Sequence, residues 1–147
     1  MMATLFTIGF TRKGAERFFG LLEEAGVRLL LDIRARPGSQ LAGFARGPDL
    51  QWLLKRLCDI DYLAVPALAP GPGLLDAYRK AELDWPGYER RYLAELQPAD
   101  IAAQLAGIPL DRACLLCAEE GADHCHRRLA AEWLNQADPA LHIRHLR

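Results

Sequence analysis

The stretch Val27-Arg28-Leu29-Leu30-Leu31-Asp32-Ile33-Arg34 has an almost unbroken apolar centre. A strand with one wet face alternates polar and apolar residues. A strand covered on both faces has no reason to, and such strands belong to parallel sheets. Upstream, Leu5 to Ile8 reads as a short strand ending at Gly9, and Ala15 to Ala25 as a helix with Phe18, Leu21, Leu22 and Ala25 on one face and Gly26 as its stop. Downstream, a loop from Ala35 to Gly47 leads to a helix over Asp49–Asp59 with Leu50, Leu53, Leu54 and Leu57 inward, then a strand over Tyr62–Val65. Pro66 to Gly73 holds three prolines and two glycines, so it is expected to be an irregular surface loop suited to act as a lid. Helices are expected over Leu74–Ala81, from Pro86 and over Pro98–Ala106, followed by a strand over Ala113–Cys117, a helix capped by Asp123 and ending near Gln136, and a strand over Leu141–Leu146. Strand alternates with helix throughout. The prediction is one compact three-layer α/β domain over residues 1–147, a mostly parallel sheet flanked by helices.

Composition narrows the function. A chain of 147 residues, 51% hydrophobic, is long enough for one core. Net charge −1 and a pI near 6.4 exclude a broad electrostatic footprint for nucleic acid, so the expected partner is a small anionic molecule. Fifteen of the eighteen basic residues are arginine, so position rather than abundance must identify an anion site. No basic segment followed by a long apolar run opens the chain, and no run is long enough to span a bilayer. Neither a signal peptide nor a membrane partner is therefore expected. Four cysteines beside so much aliphatic core do not read as a disulfide scaffold, and reduced thiols in a cytoplasmic protein are expected.

The chemistry gathers in Leu115-Leu116-Cys117-Ala118-Glu119-Glu120-Gly121-Ala122-Asp123-His124-Cys125-His126-Arg127-Arg128. An apolar run empties there into a loop holding thiols, imidazoles, carboxylates and guanidiniums, at the kind of strand-to-helix turn where open α/β sheets place their sites. Side chains alternate along a strand, so Cys114 and Cys117 face opposite ways. Cys114-Leu115-Leu116-Cys117 is therefore not a zinc knuckle, and Cys114 belongs to the core, as does Cys58. On the following helix the apolar stripe Leu129, Ala130, Trp133, Leu134 extrapolates back to His126, which points its imidazole at the sheet. Cys125 falls in the first helical turn, where free N–H groups favour a thiolate. His126 also reads as a core histidine bonded to a backbone carbonyl, Asp123 as a simple cap, and His124, Arg128 and Glu120 as a solvated face. Arg127, beside a helix start, completes an anion site.

Asp32-Ile33-Arg34-Ala35-Arg36-Pro37-Gly38-Ser39 is a second constellation. Parallel strands present their carboxyl ends to one rim, so Asp32 and Arg34 are expected to meet Glu119 and Arg127, with Thr7, Gly9 and Thr11 ending on the same rim. A plain Asp32–Arg34 ion pair is the competing reading.

Thr7-Ile8-Gly9, then Asp32-Ile33-Arg34 with Pro37, Ser39 and Phe44, and finally Leu116-Cys117-Ala118-Glu119 through Cys125-His126-Arg127 resemble the DUF488 family of bacterial and archaeal proteins, over nearly the whole chain. The resemblance implies a compact α/β domain whose Thr7, Gly9, Asp32, Arg34, Cys117, Glu119, Cys125, His126 and Arg127 form one pocket of unestablished activity. Members commonly carry His-Ser where this chain has Phe10-Thr11, Leu-Gly-Gly where it has Leu68-Ala69-Pro70, and proline at Ala122, which points to a different substrate or lid. Leu31-Asp32-Ile33-Arg34 also resembles rhodanese-like domains, whose cysteine carries sulfur. Their tight loop sets cysteine and arginine about five residues apart, and Cys117 to Arg127 is ten.

The leading expectation is an enzyme of thiol chemistry, with sulfur or phosphoryl transfer as its subclass. Cys117 or Cys125 is the nucleophile, His126 the acid or base, Glu119 the orienter and Asp32 a catalytic partner. Arg34, Arg127, Thr7, Gly9, Thr11 and Ser39 bind substrate. No cofactor is expected on that reading. The alternative is a metal or redox-sensing module in which Cys117, Glu119, Cys125 and His126 hold zinc or iron, against which the rim arginines count. A third reading, nucleotide or nucleic-acid binding through the arginines with Trp52, Trp85 or Tyr88, uses residues equally explained as helix faces.

Overall fold

The computed structural model of the chain describes residues 3–37, 43–117 and 125–147. Its elements run β1 (Ala3–Gly9), α1 (Ala15–Ala25), β2 (Leu29–Asp32), α2 (Gly47–Leu53), a π-helical turn (Leu54–Cys58), β3 (Asp61–Ala64), α3 (Pro72–Arg79), α4 (Trp85–Glu95), α5 (Pro98–Gln104), β4 (Ala113–Cys117), α6 (His126–Ala137) and β5 (Leu141–His145). The five strands form one sheet in the order β3-β2-β4-β1-β5, parallel throughout. The α/β expectation holds. No helix among the described residues is long and apolar enough to cross a membrane.

Two apolar layers cover the sheet. Phe18, Phe19 and Leu22 of α1 with Leu50 and Leu54 pack on Phe6, Ile8, Leu30, Cys114 and Leu116. Tyr88 and Tyr92 of α4, Ile101 of α5 and Leu129, Ala130 and Leu134 of α6 pack on Leu5, Leu31, Ala113 and Leu115. Leu30 and Leu31 are successive and both fully buried, one against each layer, which is why the quoted stretch has no polar alternation. Each such side chain contributes about 1.5–3 kcal/mol by leaving water. Gly26 ends α1 in the left-handed conformation at φ 74°, its N–H returning to Glu23 and Leu22, as the sequence predicts.

Three expectations change. The helix predicted over 49–59 becomes a π turn after Leu53, closed by Asp59 at φ 53°. The loop predicted over 66–73 is not a free lid. Pro66–Leu68 is a 3₁₀ turn with Leu68 fully buried, its carbonyl accepting the Tyr92 hydroxyl at 2.7 Å, while the Ala67 N–H donates to Gln104; α3 then begins at Pro72. Cys125 occupies the N-cap of α6 with extended φ −144° and ψ 142°, rather than its first turn. Asp123, the predicted cap, lies outside the described residues, as do Ser39, Glu119, Glu120, Ala122 and His124.

Candidate functional site

The carboxyl end of β4 and the amino end of α6 meet on the layer that holds α4. Cys117 closes β4, in register with Gly9 of β1. Alternation along β4 puts Cys117 on the same face as Leu115 and opposite Cys114, as predicted. Cys125 lies beside it: the two sulfurs are at disulfide distance, with Cα atoms 7.6 Å apart. Cys58 and Cys114 are free.

Arg127 is the surprise of the site. Predicted to sit at the rim, it is fully buried, with Nη1 donating to Cys117 Sγ at 3.1 Å and to Cys125 Sγ at 3.8 Å. A guanidinium desolvated against two sulfurs favours a thiolate over a thiol. The Arg127 charge also pulls Cys114 downward, but burial outweighs it. Burial pushes the Cys58 thiol up to about 11, and burial also raises Cys114, so neither ionises near neutrality.

His126 points into the sheet as its stripe requires. Its Nε2–H donates to the Ile33 carbonyl at 2.7 Å, which leaves the lone pair on Nδ1. Burial lowers its pKa to about 4, with the Arg127 charge acting in the same direction, so the ring is neutral at pH 7. The sulfurs of Cys117 and Cys125 and a ring nitrogen of His126 lie within 4.8 Å of one another, close enough to share a metal ion. A carbonyl-anchored imidazole is also what a ligating histidine usually shows.

Among the described residues no hydrogen bond joins Asp32 or Arg34 to either sulfur, and Asp32 acts on His126 through its charge, which raises the imidazole pKa against the larger effect of burial. Asp32 shares the register of Leu116, so it faces the α1 layer, away from Cys117. Arg34 grips it with Nε to Oδ1 at 2.8 Å and Nη2 to Oδ2 at 2.7 Å, and gives Nη1 to the Ala45 carbonyl at 2.5 Å. Tyr62 donates its hydroxyl to Asp32 Oδ2 at 2.5 Å, and Phe10 lies 5.5 Å below the guanidinium. Each Asp32 oxygen accepts two hydrogen bonds, Oδ1 from the Arg34 backbone N–H and Nε and Oδ2 from Arg34 Nη2 and Tyr62, and each guanidinium nitrogen of Arg34 donates one, the geometry of a buried structural ion pair. Ile33 joins the two faces, its carbonyl reaching His126.

Thr7 is fully buried on the Cys117 side of β1, with Oγ1 2.5 Å from Nδ1 of His145 on β5. Burial, then the charges of Arg127 and Arg147, lower the His145 pKa. Thr11 is exposed in the turn after β1. Tyr62, Tyr92 and His145 were not legible as site residues, because each arrives from an element remote in sequence. Tyr92 lays its ring against His126 at 5.7 Å between centroids.

The family described as domain of unknown function DUF488 matches residues 14–134. No curated protein and no solved structure matches the chain.

Proposed function

The chain belongs to the DUF488 family, and from that premise, which brings no activity with it, we propose that it is an enzyme of thiol chemistry acting on a small anionic substrate, with Cys117 and Cys125 as a nucleophile and resolving pair. The observation that carries this reading is the buried Arg127 guanidinium in contact with both sulfurs. It lowers the cost of a thiolate and is a fixed cation beside the reacting atoms. The neutral His126, a ring nitrogen of which lies within 4.8 Å of both sulfurs, is the proton acceptor of the pair. Sulfur transfer fits two adjacent sulfurs best. One thiolate attacks the sulfur of an anionic donor, and the bond from that sulfur to its leaving group breaks with its electrons. The second thiolate then attacks the first cysteine's sulfur, breaking its bond to the carried sulfur, which leaves with that electron pair and a proton as hydrosulfide while the Cys117–Cys125 disulfide closes. A thiol reductant reopens it.

The test is alkylation of the reduced protein by iodoacetamide across pH, with each cysteine followed by mass spectrometry. One of Cys117 and Cys125 is expected to react below neutral pH and Cys58 and Cys114 only at alkaline pH, and Arg127→Leu should shift the reactive cysteine toward the slow ones. Equal slow alkylation of all four would sink the proposal.

The 4.8 Å cluster of Cys117, Cys125 and His126 favours one second reading, a zinc or iron site. The donor set fits zinc, but Arg127 in contact with both sulfurs opposes a second cation there. Metal analysis separates the two: stoichiometric metal together with a melting temperature lowered by a chelator would replace the thiol mechanism.

A further inference from the structure

An unbroken column of aromatic rings runs from the surface to the thiol pair. Trp85 stacks on Tyr88 at 5.0 Å between centroids and 16° between planes. Tyr88 lies parallel to Tyr92 within 3° at 6.4 Å, and Tyr92 meets the His126 ring at 5.7 Å. His126 in turn stands within 4.8 Å of both sulfurs. Residues 85, 88 and 92 share one face of α4 by helical spacing, and the outermost ring is half-buried while the inner two are buried. Packing alone asks only for apolar volume, which leucine supplies. Here every place along the path is an oxidisable ring, with no aliphatic gap before the imidazole.

We propose that Trp85, Tyr88 and Tyr92 form a one-electron relay between an acceptor at the protein surface and the Cys117–Cys125 pair, an inference that rests on the thiol-pair reading above. A one-electron oxidant, such as a metal complex or an organic radical, takes an electron from the Trp85 indole. The vacancy passes to Tyr88 and Tyr92 and is filled from a thiolate of the pair, which becomes a thiyl radical. The thiyl radical bonds to the partner thiolate, and once a second acceptor has oxidised Trp85 the resulting disulfide radical anion, a strong reductant, fills that vacancy by the same path. In sum, two thiols lose two electrons and two protons, one S–S bond forms, and two acceptor molecules each gain one electron. Tyr88 and Tyr92 each give up the phenolic proton while oxidised and recover it on reduction, so no net proton moves at the rings; the Tyr92 hydroxyl, which donates to the Leu68 carbonyl, belongs to a residue bordering a cavity of about 230 Å³ open to solvent, which takes the proton.

Pulse radiolysis of the reduced full chain tests this, with azide radicals, which oxidise indole in preference to phenol. A Trp52→Phe/Trp133→Phe background leaves Trp85 as the indole that reports. The Trp85 radical is expected to decay at a rate independent of protein concentration while phenoxyl and then disulfide-radical absorbance rises. Tyr92→Phe and, separately, Tyr88→Phe are expected to abolish the sulfur-centred signal and prolong the indole radical; should Tyr92→Phe fail to fold, Tyr88→Phe alone decides. An indole radical that decays only by bimolecular encounter, or a sulfur signal that survives the tyrosine substitutions, overturns the relay and leaves the thiol-pair reading standing. Phenoxyl formation with no sulfur-centred product likewise overturns the relay, while alkylation across pH decides the pair separately.

Discussion

Asp32→Ala is expected to cost about 3–5 kcal/mol, the scale for stranding one partner of a buried ion pair. That is a large share of the roughly 5–15 kcal/mol that holds a domain together. The side chains of Asp32 and Arg34 are 0% and 2% exposed, so removing the carboxylate leaves a guanidinium in the core without its counter-charge, beside the Ala45 carbonyl, the Phe10 face and the Tyr62 hydroxyl, and takes from Tyr62 its carboxylate acceptor. Urea denaturation checks it, through a shift in midpoint at unchanged slope. The triple variant Asp32→Ala/Arg34→Met/Tyr62→Phe is expected to recover much of the loss, because replacing all the partners by apolar groups removes the uncompensated charge. A single variant of wild-type stability with altered thiol reactivity would instead move Asp32 from the fold to the chemistry.

This expectation turns on a fact that was half legible. The Leu29–Asp32 strand and the thiol motif could be read from pattern, and so could the facing of Cys114 against Cys117, since alternation needs no knowledge of neighbours. What a single chain cannot display is register. Asp32 pairs with Leu116 and Gly9 with Cys117, so the two constellations reach one rim on opposite faces; Asp32 and Arg34 form the ion pair of the competing reading instead of meeting Arg127, and Glu119 lies outside the described residues. Arg127 was misplaced for a different reason: arginine is mostly exposed, and only the pairing of β4 with the start of α6 shows that two sulfurs await it in the core. Tyr62 and His145 come from neighbouring strands, and no local signal marks them. The turn at Pro66 reads as loop by composition, yet Leu68 anchors it from within.

Acidification should unfold the protein through His126. Its folded pKa of about 4 lies below the ordinary 6.5 because burial disfavours the charged ring, so between those values the unfolded chain binds a proton that the folded chain does not. Stability is then complete above pH 6.5 and falls as pH drops toward 4. One such group loses about 3 kcal/mol over that window. His145, half-buried and also lowered, acts in the same direction. The check is the difference in unfolding free energy between the protein and His126→Gln, measured by urea from pH 7 to pH 4, so that titrations common to both cancel. The difference should narrow steadily as the pH falls, since the amide can still donate to Ile33 but has nothing to protonate; a difference flat across the window would mean that the imidazole is not held neutral. The same burial suits the ring to the site. Beside Arg127 and two sulfurs, a charged imidazole would add a second cation, whereas a neutral one, tied to Ile33 by Nε2, adds none throughout the physiological range.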